Sequence, residues 1–142
     1  MRNGYSLVEL IVALAIVSVV TGLLARRAIA WLDWIAVEEA AQDVTMALSA
    51  TRNRAVVSGV RTRLEIESDS LRLSELHEGA WRASGGWLGP AQFGVNVAVS
   101  TKQIAFDPLG LGVGPSNTRV ELTRGFHSAT ITTSRLGRVK RW

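Results

Sequence analysis

Cysteine is missing from all 142 residues, which removes disulfide frameworks, thiol nucleophiles and thiolate metal ligands together. Histidine is nearly as scarce: His77 and His127 stand fifty residues apart with no ligand spacing around either, so a metal site is not expected. No serine lies in a nucleophile motif, and the alternating glycines of Gly110-Leu111-Gly112-Val113-Gly114 sit between Pro108 and Pro115 without the strand-to-helix setting of a phosphate cradle. That segment reads as a flexible loop. These absences leave no catalytic constellation, no cofactor and no small-molecule substrate to expect. Helix breakers are also rare at the front: the first proline is Pro90, and no glycine falls between Gly22 and Gly59. Acid is absent from the far end, where Arg135, Arg138, Lys140 and Arg141 concentrate the excess of a chain of formal charge +4. Such a tail attracts polyanions or anionic lipid.

What the front of the chain does have is an apolar run of about twenty residues, Tyr5 to Ala25, interrupted by one charge, Glu9. At about 1.5 Å per residue this helix spans about 30 Å, the thickness of a bilayer's hydrocarbon core. A carboxylate at that depth is costly and implies a task. The helical pattern then continues to about Ser58. Val37, Ala41, Val44, Leu48, Thr51 and Ala55 recur at three- and four-residue steps, while Glu38, Glu39, Asp43, Arg52 and Arg54 fall largely elsewhere, so the stripe should face a small domain. Trp31 and Trp34 admit two readings, rings at headgroup level or rings packed on the domain or a neighbour.

Beyond Gly59 the period changes to two: Val60, Thr62, Leu64 and Ile66 alternate with Arg61, Arg63 and Glu65 as in a half-buried strand. Glu67-Ser68-Asp69-Ser70 supplies a turn, and Leu71, Leu73 and Leu76 continue a hairpin towards Trp81. Gly85 to Pro90 reads as a break. Further strands are expected over 95–99, 103–106, 119–122, 129–133 and 138–142. The fold class is α+β: a long N-terminal helix, transmembrane in its first half, packed on a small antiparallel β-sheet domain. With 142 residues, a second independent core is not expected.

Three readings compete for the N-terminus. A secretory signal is suggested by Ala28-Ile29-Ala30, but Arg26 and Arg27 separate that site from the apolar core. A plain single-pass anchor would leave Glu9 near the headgroups without a role. Third, the stretch Met1 to Ala25, with Gly4-Tyr5-Ser6-Leu7-Val8-Glu9-Leu10 at its head, resembles the leader and stem of type IV prepilins and type II secretion pseudopilins. This resemblance implies cleavage between Gly4 and Tyr5 by a prepilin peptidase, N-methylation of Tyr5, and Glu9 as the stem glutamate used in assembly. It divides the chain into a leader (1–4), a transmembrane helix (5–25), an amphipathic extension (26–58) and a β-rich globular domain (59–142). Processing would leave a mostly cationic amine on Tyr5, which in a low-dielectric medium strongly attracts a carboxylate on an adjoining subunit. Arg26 and Arg27 alone would hold the domain in the cytoplasm. The resemblance implies the reverse, a single pass through the inner membrane with the domain in the periplasm.

Later segments resemble the GspH/FimT family of minor pilins and pseudopilins: Leu48 to Leu64, Ile104-Ala105-Phe106-Asp107-Pro108-Leu109-Gly110, and Ile131 to Val139. The family implies a pilin-like fold and other pilin or pseudopilin subunits, inner-membrane lipid and a prepilin peptidase as partners. The proline that many major pilins carry in the membrane helix is missing here, which bears only on a kink. Some FimT-like members are DNA receptors ending in Gly-Arg-x-Arg, which Gly137-Arg138-Val139-Lys140 followed by Arg141-Trp142 resembles. On that likeness Arg135, Arg138, Lys140 and Arg141 would contact phosphates and Trp142 a base. The plainer alternative is a charged edge that discourages aggregation. Lys140 keeps the charge of the second arginine without its planar fork, and Arg141, next along a strand, should point to the opposite face.

Overall fold

A computed structural model of the chain describes residues 6–114 and 118–142. The expected cleavage pair, Gly4 and Tyr5, lies outside them. The chain divides into two compact units, Met1–Leu32 and Asp33–Trp142. One helix, α1 (Leu7–Ser58), supplies the described part of the first unit and opens the second. It is long and apolar enough to cross a membrane, with a mean hydropathy of 2.6 over its most apolar window. Two hydroxyls within the apolar run are satisfied by the helix itself: Ser18 Oγ donates to Leu14 O and Thr21 Oγ1 to Val17 O, each at 2.8 Å. This is the arrangement a segment without water requires. The helix stops at Gly59, whose left-handed backbone (φ 67°) lets its N–H reach Ala55 O at 3.0 Å.

In the second unit α1 packs on two antiparallel sheets. The first is ordered β3-β2-β1-β5-β6, with β1 at Thr62–Ile66, β2 at Ser70–His77, β3 at Ala80–Leu88, β5 at Gln103–Phe106 and β6 at Gly112–Val113. The second is ordered β4-β7-β8-β9, with β4 at Asn96–Val99, β7 at Thr118–Arg124, β8 at His127–Thr133 and β9 at Val139–Arg141. The predicted stripe is the buried face of α1: Val37, Ala41, Val44, Leu48, Thr51 and Ala55 are all in the core. Alanines 36, 40 and 47 extend it and let the sheets approach closely. Opposite them lie Leu64, Ile66, Leu71, Ile104 and Phe106 from one sheet and Val120, Leu122, Ala129 and Ile131 from the other. Thr62, buried at the start of β1, ties the first sheet to the helix by donating to Thr51 O at 2.8 Å.

Two expectations need correction. Gly85 to Leu88 is not a break but the second half of β3, paired on β2 from Ser70↔Leu88 to His77↔Ala80 with a bulge at Leu73/Ser74. Gly86 serves a close approach, since a methyl group there would stand 2.9 Å from Leu71 O. The hairpin turns at Glu78-Gly79, both at positive φ (52° and 82°), as a type I′ two-residue connection requires. Likewise the glycine-rich segment after Pro108 is not all loop, because Gly112–Val113 pairs with Ala105 and Phe106 of β5.

Candidate functional site

In the first unit, Glu9 occupies the first turn of α1 and its side chain is exposed. Among the described residues no cation lies within ion-pair distance of it. The exposed apolar side chains around it, Leu7, Val8, Leu10 and Ile11, offer a low-dielectric surface of the kind that raises the value of a well-placed opposite charge.

In the second unit the basic end forms the β8–β9 hairpin, and its register separates the four candidate cations. Ile131 is buried and pairs with Arg141, while Thr132 pairs with Lys140. Alternation therefore turns Arg141 inward and Lys140 outward. Arg141 makes a bidentate ion pair with Glu38 of α1. Arg141's hydrogen bonds hold the Glu38 carboxyl below its usual range, and the same bonds raise Arg141. This arginine holds β9 to the helix and is engaged within the domain. Lys140 Nζ lies 3.5 Å from the ring centre of Trp142, which stands beside it on the outer face. Arg135 and Arg138 are exposed in the turn, where Gly137 (φ 68°) donates to Ser134 O at 2.9 Å and Ser134 N to Arg138 O at 3.0 Å. Arg135, Arg138 and Lys140 thus remain outward, on a hairpin that Arg141 fixes.

The segments singled out in the sequence meet beside that turn. Asp107 Oδ1 accepts from the backbone of Leu109 and Leu111 at 3.0 and 2.8 Å, closing the turn at Pro108 and placing Gly110 O against Gly137. Arg52 Nε donates to the same Gly110 carbonyl at 2.9 Å. Arg52, Asn53 and Val56 of α1 with Leu136, Gly137 and Arg138 line an open groove of about 680 Å³. Arg52 carries no role in the sequence reading. Its helical spacing from Ser49 and Val56 is the only local sign that it shares their face.

Another cluster escaped the sequence reading. Glu75, 5% exposed on the inner face of β2, accepts from Ser84 Oγ and Arg54 Nε at 2.6 Å each, and His77 Nε2 lies 3.0 Å away. The hydroxyl of Ser84, then Arg54 and His77, lower its pKa to about 2, against the opposing effect of burial. The bulged strand β3 supplies Ser84, so strand irregularity and carboxylate position are linked.

Comparison with known proteins agrees with this geometry. Residues 1–25 match the prokaryotic N-terminal methylation motif. The fold is pilin-like. The type IV minor pilin FimU of Pseudomonas aeruginosa PAO1 superposes with a TM-score of 0.64 at 15% identity, over 73% of this chain and 86% of that one. A second crystal form of FimU gives 0.62 at 16%, over 74% and 91%. The minor pseudopilin EpsH from the type 2 secretion system of Vibrio cholerae gives 0.62 at 12%, over 75% and 95%. No curated protein matches the chain.

Proposed function

We propose that this chain is a minor pilin or pseudopilin of the GspH/FimT type, a non-enzymatic subunit of a type IV pilus or a type II secretion pseudopilus. The observation that carries the reading is a methylation motif over residues 1–25 in front of a pilin-like fold. In this reading residues 1–4 are a leader, 5–25 the membrane span, 26–58 the amphipathic extension and 59–142 the globular domain. A prepilin peptidase cuts after Gly4 and methylates Tyr5, and Glu9 then meets the amine of another subunit. The protein resides in the inner membrane with its domain on the periplasmic side until it enters a filament. The test is the mass of the mature protein. Loss of the first four residues with one added methyl group is expected; an intact Met1, or a start at Trp31, overturns the reading.

A second reading, DNA capture by the same anchored subunit, is favoured by the outward placement of Arg135, Arg138 and Lys140 on one rigid hairpin. Three cations neutralising about three phosphates would give a log–log salt slope of about −3 on duplex DNA. Charge reversal at Arg138 and Lys140 together should abolish retention of DNA, and unaltered retention excludes this reading.

A further inference from the structure

Among the described strands β3 is the longest, and it lies at the edge of its sheet with all nine residues exposed, Trp81 and Trp87 included. The other sheet edges are short: β6 has two residues, β9 three and β4 four. A long open edge is a template for another strand, because its unpaired main-chain groups are satisfied by extended backbone.

The pairing with β2 shows which groups of β3 are free. A two-residue turn is closed by a pair that exchanges both its hydrogen bonds, here His77↔Ala80. At the other end Gly89 N donates to Asp69 O at 2.9 Å. Alternation from the two ends leaves the N–H and C=O of Trp81, Ala83, Gly86 and Leu88 pointing away from β2. The extra residue of the bulge is Ser84, whose hydroxyl turns inward to Glu75. Trp81, Ala83, Gly86 and Leu88 stand opposite Leu76, Ser74, Arg72 and Ser70 on the outer face, where Arg63 lies 4.5 Å from the Trp81 ring centre. Arg82 and Trp87 stand opposite the buried Glu75 and Leu71, and so belong to the inner face.

We infer that β3 is a dimerisation edge: it pairs antiparallel with β3 of a second copy about a two-fold axis passing between Ser84 and Gly85. Trp81 then faces the partner's Leu88, Ala83 faces the partner's Gly86, and Arg82 faces the partner's Trp87. In this register every free N–H and C=O of one edge meets a free group of the other, and the side chains of each pair lie on the same face. No like charges stand opposite one another. The indole of Trp87 takes a guanidinium, and Trp81 takes an aliphatic neighbour. No other two-fold register engages all four free positions. Setting Trp81 against the partner's Ala83 brings two copies of Arg82 together and leaves Gly86 and Leu88 unpaired. Setting Gly86 against the partner's Leu88 leaves Trp81 and Ala83 unpaired. This self-complementarity, with the bulges of the two copies facing each other across the axis, is what selects a second copy as the occupant. An isologous contact closes on itself, so it yields a dimer and not a fibre. The inference goes beyond the proposed function and does not rest on it.

The absence of native cysteine makes engineered thiols unique. The full chain in detergent micelles carries Trp81→Cys and Leu88→Cys together, or either alone, and is treated with a short bifunctional thiol reagent. Seven extended residues separate the two positions within one chain, roughly 20 Å or more, beyond the reach of the reagent. Across the dimer they lie opposite each other at about 5.5 Å between Cα atoms. The double variant should form a covalent dimer, and each single variant several-fold less. Equal cross-linking in the single variants, or none in the double variant, overturns the inference. A second measurement uses Ala83→Pro, which removes an N–H that the domain does not use and is tolerated on an edge strand. In sedimentation equilibrium the native chain should dimerise reversibly, and this variant should raise the dimer Kd about tenfold or more with its urea midpoint near that of the native chain. A native chain that stays monomeric, or a folded variant that dimerises as tightly, overturns the inference; should the proline variant fail to fold, the cross-linking pattern decides alone.

Discussion

Glu75 and Gly137 are the residues on which the domain's local order most visibly turns. Glu75 is ionised, nearly buried and bonded to Ser84 and Arg54, with a pKa of about 2 against an ordinary 4.5. A carboxylate whose folded pKa is depressed stabilises the fold fully above its unfolded pKa and loses that contribution as pH falls towards the folded value. Stability should therefore hold from neutrality to about pH 5 and decline between pH 5 and 2. The Glu75 share is about 1–3 kcal/mol, discounted because half of Arg54 is in water. Glu75→Gln should lower stability at pH 7 and flatten this acid limb, which denaturant titrations at several pH values will reveal. An acid limb as steep in the variant as in the native chain would exclude Glu75 as its source. Gly137 acts by geometry: with φ 68° and Gly110 O against it, a β-carbon would meet a backbone atom that has nowhere to go. Gly137→Ala is expected to cost about 2 kcal/mol or more, read as a shift of the urea midpoint.

At the scale of elements, register decides which cations are available. Arg141 and Glu38 are 103 residues apart, and only the pairing of β9 on β8 brings them together. That pair is invisible in a sequence, whereas the alternation sending Lys140 and Arg141 to opposite faces is not. If the hairpin binds duplex DNA, Lys140→Gln should reduce the salt slope by about 1 and Arg141→Gln should leave it unchanged, measured as affinity at several salt concentrations. A slope that falls with Arg141 instead would mean that its pairing with Glu38 opens on binding. The same distinction explains what else was legible. The stripe from Val37 to Ala55 repeats over several turns and could be read from spacing alone, as could Thr62, Leu64 and Ile66 on β1. β3 could not: Gly85-Gly86 resembles punctuation, and its strand character comes from β2 beside it and from the bulge that delivers Ser84 to Glu75. β6 has only two residues, too few for any period. Arg52 gains its place through Gly110, 58 positions away.

For the whole molecule, the two units bear different parts of the proposed role. On that proposal the domain can be stable and correctly folded without making the subunit competent to assemble, because the proposed assembly group, Glu9, lies in the other unit. Removing its charge lowers the cost of placing the helix in lipid, so Glu9→Ala should insert into membranes at least as well as the native chain. Yet a carboxylate that meets the Tyr5 amine of a neighbour fixes axial stagger, since in a low-dielectric medium an ion pair displaced by one helical turn forfeits most of its attraction. The variant should then accumulate in the membrane fraction and be depleted from sheared filaments or pseudopili, with the leader still removed. Glu9→Asp should recover incorporation only in part, because the shorter side chain draws the charge back by about one methylene. Equal recovery of native chain and Glu9→Ala in filaments, from equal membrane pools, would show that apolar packing alone sets the register and that this carboxylate has another task.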